Sequence, residues 1–118
     1  LTPEEKVRQV FIRFLIYQLK VPKSRIRVEY QLSWNNLIRR CDILVFNQEV
    51  DPLVIVECKK EQQEINTETM DQISRYNLKL KVKYLVATNL DKTWTFEFDQ
   101  SCNRYKPISS LPLYTDMI

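Results

Sequence analysis

The chain has 118 residues, of which 44% are hydrophobic and 28% charged, and it contains neither glycine nor histidine. The absence of glycine excludes a Walker phosphate loop and a Rossmann fingerprint, and the absence of histidine excludes histidine-based triads and HExxH zinc helices. The formal net charge of +3, from 18 basic and 15 acidic residues, is compatible with a polyanionic partner without demonstrating one. Because histidine is absent, any catalysis must use carboxylates, lysine, tyrosine or cysteine.

Length and cysteine content narrow the class of protein further. A chain of this length is most often one domain, so we expect a single unit over residues 1–118. The longest apolar run, residues 53–56, is far shorter than the roughly 20 residues of a membrane span, which predicts a cytoplasmic protein with no membrane partner. The cysteines are odd in number and lack a metal-binding spacing, so we expect free, mostly buried thiols at Cys41, Cys58 and Cys102.

The first predicted element is a helix that runs from a cap at Thr2 to about residue 20. Pro3 fits the first helical position, and Glu5 completes a capping box with Thr2. The apolar arc of this helix is broad, which predicts a largely buried helix, yet Glu4 and Arg8 fall inside the arc. Two roles for Glu4 are open at this point: pairing with Arg8 near the helix dipole, or membership of a functional site.

A β-hairpin is predicted after this helix. Residues 25–32 alternate between polar and apolar side chains, as in a strand with one buried face. The apolar face comprises Ile26, Val28, Tyr30 and Leu32. Asn35 and Asn36 occupy the turn, where asparagine can replace glycine because it tolerates positive φ. Residues 37–46 form the second strand.

The remaining elements complete an α/β fold with a mixed central sheet flanked by helices. Residues 53–59 are apolar enough to form a central strand. The elements after it are a helix capped by Asn66 and strands at residues 83–88 and 93–99. The tail, which contains Pro107 and Pro112, is expected to be irregular. The order is therefore αβββαββ, with a core over about residues 2–90 and an extra strand and tail over residues 91–118.

Charged side chains interrupt two of the apolar strands. Asp42 lies inside the second strand, and Glu57 and Lys59 end the third strand on one face because side chains alternate along a strand. If the two strands are neighbours, both carboxylates and the ammonium meet at one edge of the sheet, where Mg²⁺ or Mn²⁺ could bind between the carboxylates. Each half of the pattern also has a plain structural explanation, as a hydrogen-bonded aspartate and a solvated charge pair.

These residues resemble the motifs of a known family. Asp42, the Glu57-Cys58-Lys59 triplet and the αβββαβ core resemble the PD-(D/E)xK nuclease superfamily, which has a restriction-endonuclease-like fold. The resemblance is to the endonuclease domain at the N-terminus of type I restriction enzyme R subunits and its stand-alone relatives, and it covers about residues 2–90. The chain departs from those relatives at Asn36 and at Leu90, where they tend to have glycine.

The resemblance implies roles for individual residues. Asp42, Glu57 and the backbone carbonyl of Cys58 would bind Mg²⁺ or Mn²⁺, and Lys59 would be the catalytic lysine. Glu4 would be the further acid that the first helix contributes in many such nucleases. Gln72 and Tyr76 resemble a Q-x-x-x-Y motif that borders the active site in this branch, although a role at the border of the core is equally compatible with their spacing.

The expected function is metal-dependent hydrolysis of phosphodiester bonds in DNA, by a Mg²⁺-dependent deoxyribonuclease. The basic residues expected to contact nucleic acid are Arg8, Arg25, Arg27, Arg39, Arg40 and Lys60. The alternative is a catalytically inactive nuclease-fold module that binds nucleic acid or a protein partner. Because the chain has no motor motif, separate motor or specificity proteins are further candidate partners, and a homodimer is also open.

Overall fold

A computed structural model describes residues 1–34, 36–78 and 80–118, and its description does not extend to the side chains of Trp34, Leu37, Arg39, Gln72, Arg75 and Tyr76. The helices are α1 (Pro3–Tyr17), α2 (Thr67–Asn77) and α3 (Tyr114–Met117), with a 3-10 turn at Lys23–Arg25. The strands are β1 (Ile26–Trp34), β2 (Leu37–Phe46), β3 (Pro52–Cys58), β4 (Tyr84–Thr88), β5 (Thr93–Asp99) and β6 (Arg104–Ile108). No helix in the described part of the chain combines the length and the apolar character of a membrane span.

The six strands form one mixed sheet whose spatial order, β1-β2-β3-β4-β5-β6, follows the chain. Only the β3–β4 pair of this sheet is parallel, and α2 lies in the crossover between those two strands. The predicted α/β fold with a mixed central sheet is confirmed. β2 and β5 have the predicted bounds, and the second and third strands are neighbours as expected.

Helix α1 begins as predicted and ends earlier. Thr2 Oγ1 accepts a hydrogen bond from the backbone N–H of Glu5 at 3.1 Å, and the Glu5 carboxylate accepts one from the Thr2 N–H, which completes the capping box. The helix stops at Tyr17 and not near residue 20, because Lys20 adopts a left-handed φ of 61° that reverses the chain direction.

Two layers of apolar side chains cover the sheet, one on each face. On one face Val7, Phe11 and Leu15 of α1 pack against β2 and β3. On the other face Met70 of α2 packs against Ala87 in β4, together with Ile65. The prediction of a largely buried α1 is wrong, since Val10 and Phe14 are 43% and 38% exposed and the helix buries a narrower stripe.

The alternation predicted for β1 is interrupted at Glu29. Ile26 packs on the α1 face, whereas Leu32 packs against the cluster on the opposite face, although both have even numbers. Glu29 adopts a left-handed φ of 50°, which rotates the strand between the Val28–Ile43 and Tyr30–Cys41 pairs. The single apolar face expected over residues 25–32 is therefore wrong: Val28 and Tyr30 are 47% and 36% exposed.

The tail is more regular than predicted. Residues 104–108 add β6 to the edge of the sheet, with Pro107 opposite Phe96, and α3 follows. Proline is tolerated there because an edge strand has one side without a hydrogen-bonding partner strand. The hydroxyl of Tyr114 in α3 donates to the backbone carbonyl of Phe46 at 3.0 Å, which fixes the short helix beneath β2.

Residues other than glycine occupy left-handed backbone conformations at several turns. Asn36 has a φ of 67°, as predicted for the first hairpin, while Asn35 lies outside the described residues. Leu90 has a φ of 77° after β4, at the second position where the relatives tend to have glycine. Val50 has a φ of 65° between β2 and β3, which is unfavourable for a β-branched residue.

Replacing Val50 with glycine is expected to stabilise the protein by about 1 kcal/mol, because a left-handed L-residue costs roughly 1–2 kcal/mol and glycine removes that cost. Val50 is 58% exposed, so little packing is lost. Urea denaturation measures the difference. Glu49→Gly, at a neighbouring position without positive φ, is the control and should lower stability by roughly 0.5–1 kcal/mol. A Val50→Gly protein that is less stable than the parent would show that the left-handed backbone of Val50 is not strained.

Candidate functional site

The site is built around a contact between β2 and the end of β3. The Cys58 backbone N–H donates a hydrogen bond to Asp42 Oδ2 at 2.7 Å, and the Asp42 side chain is partly buried. This contact brings together the two halves of the sequence motif, the aspartate of the second strand and the Glu57-Cys58-Lys59 triplet.

Glu57 and Lys59 lie on the other side of β3 from the Cys58 side chain. Cys58 belongs to the core cluster beneath α1, so alternation directs Glu57 towards the α2 face. Glu57 is partly buried, and its Oε1 atom is shielded from solvent. Lys59 follows the last residue of β3, and its backbone N–H donates to the Thr88 carbonyl at 2.9 Å, which fixes its position beside β4.

A pocket of about 260 Å³ opens on the α1 side of Asp42. Its described lining consists of Thr2, Glu4, Glu5, Arg8, Glu29, Asp42 and Cys58. The Arg8 guanidinium Nη1 lies 2.9 Å from Glu29 Oε1, and only 20% of the Arg8 side chain is exposed. Arg8 thus pairs with Glu29 of β1, and its pairing with Glu4 is not seen among the described residues.

Glu29 is the member of this pocket that the sequence analysis missed. The alternating pattern assigned it to a solvated face, but its left-handed backbone turns it towards α1. The signal that could have identified it is the hairpin register, because the Val28–Ile43 pair places Glu29 next to Asp42 across the two strands. An acidic residue facing an acidic residue requires a cation nearby, and Arg8 supplies it.

Glu4, Asp42 and Glu57 do not converge on one point in the structure. Within residues 1–34, 36–78 and 80–118, no group of three or more acidic or cysteine side chains is arranged to hold a metal ion. Glu4 and Asp42 line the α1-side pocket, and the described lining of that pocket does not include Glu57 or Lys59. The side chains of Gln72 and Tyr76, in α2, lie outside the described part of the structure.

The cysteines agree with the prediction of free, mostly buried thiols. Cys41 and Cys58 are buried and all three cysteines are free, but Cys102 is exposed. Burial, and after it the negative charge of Asp42, raise the pKa of the Cys58 thiol to about 12. Cys58 also lines the pocket that contains Glu4 and Asp42.

The predicted nucleic-acid contacts fall into different environments. Arg8 forms an ion pair with Glu29. Arg27 donates hydrogen bonds to the backbone carbonyls of Ser24 and Ile26. Its guanidinium lies 5.7 Å from the centre of the Phe46 ring. The Arg40 side chain is 72% exposed, with Glu29 Oε2 at 3.7 Å. Arg25 is partly buried, Lys60 is exposed, and the Arg39 side chain lies outside the described residues.

Together these features define an α/β domain with a mixed six-stranded sheet and a cluster of charged side chains where its third strand ends beside Asp42 of the second strand. A solved fragment of an HsdR subunit of a type I restriction enzyme from Vibrio vulnificus YJ016 has a similar fold, with a TM-score of 0.61 and 19% sequence identity. The match covers 97% of this chain and 24% of that chain, so this chain spans about a quarter of the length of the solved relative.

A family model assigns the chain more specifically. The model described as type I restriction enzyme R protein N terminus (HSDR_N) matches residues 3–112. The chain therefore belongs to the family of type I restriction enzyme R protein N termini, and the resemblance seen in the sequence is confirmed at that level. A search of curated proteins gave no significant match.

Proposed function

We propose that this domain hydrolyses phosphodiester bonds in DNA and requires Mg²⁺ or Mn²⁺. The observation that carries the proposal is the 2.7 Å hydrogen bond from the Cys58 N–H to Asp42, which links the aspartate of β2 to the Glu57-Cys58-Lys59 triplet. Membership of the R-protein N-terminal family supports it, since the solved relative is described as part of a type I restriction enzyme.

The donor atoms at this place fit a hard divalent cation. Asp42 offers a carboxylate oxygen and Cys58 offers a backbone carbonyl at the end of β3. Glu57 offers a second carboxylate from the other side of that strand. Mg²⁺ in proteins is usually held by one or two carboxylates and keeps several waters, so three converging acids are not needed. When bound, the ion supplies a water of lowered pKa and stabilises negative charge on the phosphate.

The side chains of the chain have distinct roles in this proposal. Asp42 holds the end of β3 through the Cys58 N–H, and its second oxygen is available to a ligand at the strand end. Lys59, fixed by its backbone bond to Thr88, places an ammonium beside the phosphate and orients the attacking water. Glu57 is held on the α2 face, where Gln72 and Tyr76 are predicted to border the site.

A second candidate function is DNA or protein binding without cleavage. The observation that favours it is the occupation of the α1-side pocket by Arg8, whose positive charge balances Glu29 and lies near Asp42. In that case the acidic residues form an internal ion-pair network and hold no metal.

Incubation of the purified protein with supercoiled plasmid, linear duplex and single-stranded DNA tests the proposal. We expect cleavage with Mg²⁺ or Mn²⁺ and none with EDTA. The same assay with Lys59→Ala should show a loss of at least about a hundredfold. Intact DNA in every metal, or undiminished cleavage by Lys59→Ala, would contradict the catalytic assignment and leave the binding function.

A further inference from the structure

The β1–β2 hairpin extends past the rest of the sheet. Towards the end of β3, the last described pair between β2 and β3 is Ile43–Val56, whereas β1 and β2 continue to pair through Gln31–Arg40 and Ser33–Ile38 to Trp34–Leu37. We call residues 31–40 the distal ribbon. At about 3.4 Å per residue, its paired part projects roughly 10 Å.

The described side chains of the distal ribbon are mostly exposed. Gln31, Ser33, Asn36, Ile38 and Arg40 are accessible to solvent, with Ile38 at 58%, and only Leu32 packs against a core cluster at the ribbon's base. An isolated two-stranded ribbon is only marginally stable in water, and an exposed strand edge invites pairing with other chains. These costs are reduced if the ribbon binds a partner.

The charge of the ribbon identifies the chemistry of that partner. The distal ribbon contains two arginines, Arg39 and Arg40, and no acidic residue, so it carries a charge of +2 in a chain whose net charge is +3. Glu29, just outside the ribbon, lies 2.9 Å from Arg8 and 3.7 Å from Arg40, and the Arg40 side chain is 72% exposed and open to an incoming phosphate. The partner expected from this distribution is a polyanion.

The shape of the ribbon favours duplex DNA over a single strand. The major groove of B-DNA is about 12 Å wide and 8.5 Å deep, and it admits a two-stranded β-ribbon. The ribbon also leads directly into Asp42.

We propose that the distal ribbon enters the major groove of duplex DNA, with Arg40 contacting a backbone phosphate and Ile38 facing the groove. This inference rests on the proposed function in that it names how the nuclease domain engages its substrate. It extends that function by assigning a duplex-binding element that lies outside the acidic residues and directs the DNA to the end of β3.

Fluorescence anisotropy with a labelled 30-base-pair duplex in EDTA tests binding separately from cleavage. We expect Arg40→Gln to weaken binding about three- to tenfold and to lower the slope of log Kd against log salt by about 1. Ile38→Glu, which places a negative charge in the groove, should weaken binding at least tenfold. Arg104→Gln, in β6 at the opposite edge of the sheet, is the matched control and should bind as the parent.

Two further measurements test whether binding uses the major groove and whether the variants are folded. Thermal unfolding of each variant within about 2 °C of the parent shows that a loss of affinity is not a loss of fold. A duplex with glucosylated 5-hydroxymethylcytosine, which fills the major groove, should bind more weakly than the unmodified duplex. Equal affinity of this duplex, stronger binding of a single strand, or parental affinity of Arg40→Gln and Ile38→Glu would each overturn the ribbon proposal.

Failure of this inference and failure of the proposed function can be told apart. Metal-dependent cleavage together with unchanged duplex affinity in the ribbon variants would overturn the ribbon proposal and leave the proposed nuclease function standing. Ribbon-dependent duplex binding without cleavage in any metal would support the ribbon and favour the binding function.

Discussion

Replacing Asp42 with asparagine is expected to lower DNA cleavage by about a thousandfold, equivalent to roughly 4 kcal/mol of transition-state stabilisation. The substitution removes the negative charge at the proposed metal site and keeps an oxygen that can accept the Cys58 N–H. The free energy of unfolding should therefore change by less than about 1 kcal/mol. Plasmid-nicking rates in Mg²⁺ and urea denaturation of the same preparation measure both quantities.

Two companion variants separate chemistry from folding. Asp51→Asn removes an exposed acid from the loop between β2 and β3 and should leave the cleavage rate at the parental value. Asp42→Ala removes the acceptor of the Cys58 N–H and should also lower stability by about 1–3 kcal/mol. Parental cleavage by Asp42→Asn would show that this carboxylate is structural and would remove the basis of the site.

Replacing Asn89 with alanine is expected to destabilise the protein by about 3 kcal/mol, because each unsatisfied buried polar group costs roughly 1–3 kcal/mol. Asn89 is only 5% exposed, and its side chain joins two segments. Its Nδ2 donates to the Gln63 carbonyl at 2.7 Å, and its Oδ1 accepts the Lys92 N–H at 2.7 Å. Thermal unfolding should show a decrease in Tm of roughly 10 °C.

The control for Asn89 is Gln62→Ala, which truncates an exposed side chain beside the same loop and should change stability by less than about 0.5 kcal/mol. Because Gln63 belongs to the loop that follows Lys59, Asn89→Ala should also make that loop more susceptible to limited proteolysis. If Asn89→Ala is within 0.5 kcal/mol of the parent in stability, water replaces both hydrogen bonds of the Asn89 side chain.

Local signals explain the parts of the fold that the sequence predicts well. The capping box at Thr2 and Glu5 and the second strand at residues 37–46 depend on residues close together in the chain, and both are present in the structure. Asn66 caps α2 as predicted, since its Oδ1 accepts the Thr69 N–H at 2.9 Å. For the site, the prediction that the second and third strands are neighbours correctly placed Asp42 beside the end of β3.

Contacts between distant residues explain the differences. The rotation of β1 at Glu29 is stabilised by Arg8, which is 21 residues away in the chain and on another element. Pro107 suggested an irregular tail, but the pairing of β6 with β5 places it on an edge strand. Residue patterns within one segment carry no information on either contact. The predicted roles of all the site residues stay predictions: Glu4, Asp42, Glu57, Cys58, Lys59, Gln72 and Tyr76.

The match between strand order in the sheet and order along the chain has a consequence for folding kinetics. Four of the five strand pairs join segments separated by two to five residues, so they can form early with little loss of chain entropy. The parallel β3–β4 pair instead requires closure of the whole segment from residue 59 to residue 83. We expect this closure to limit the folding rate, so that Lys59 and its loop reach their native positions last.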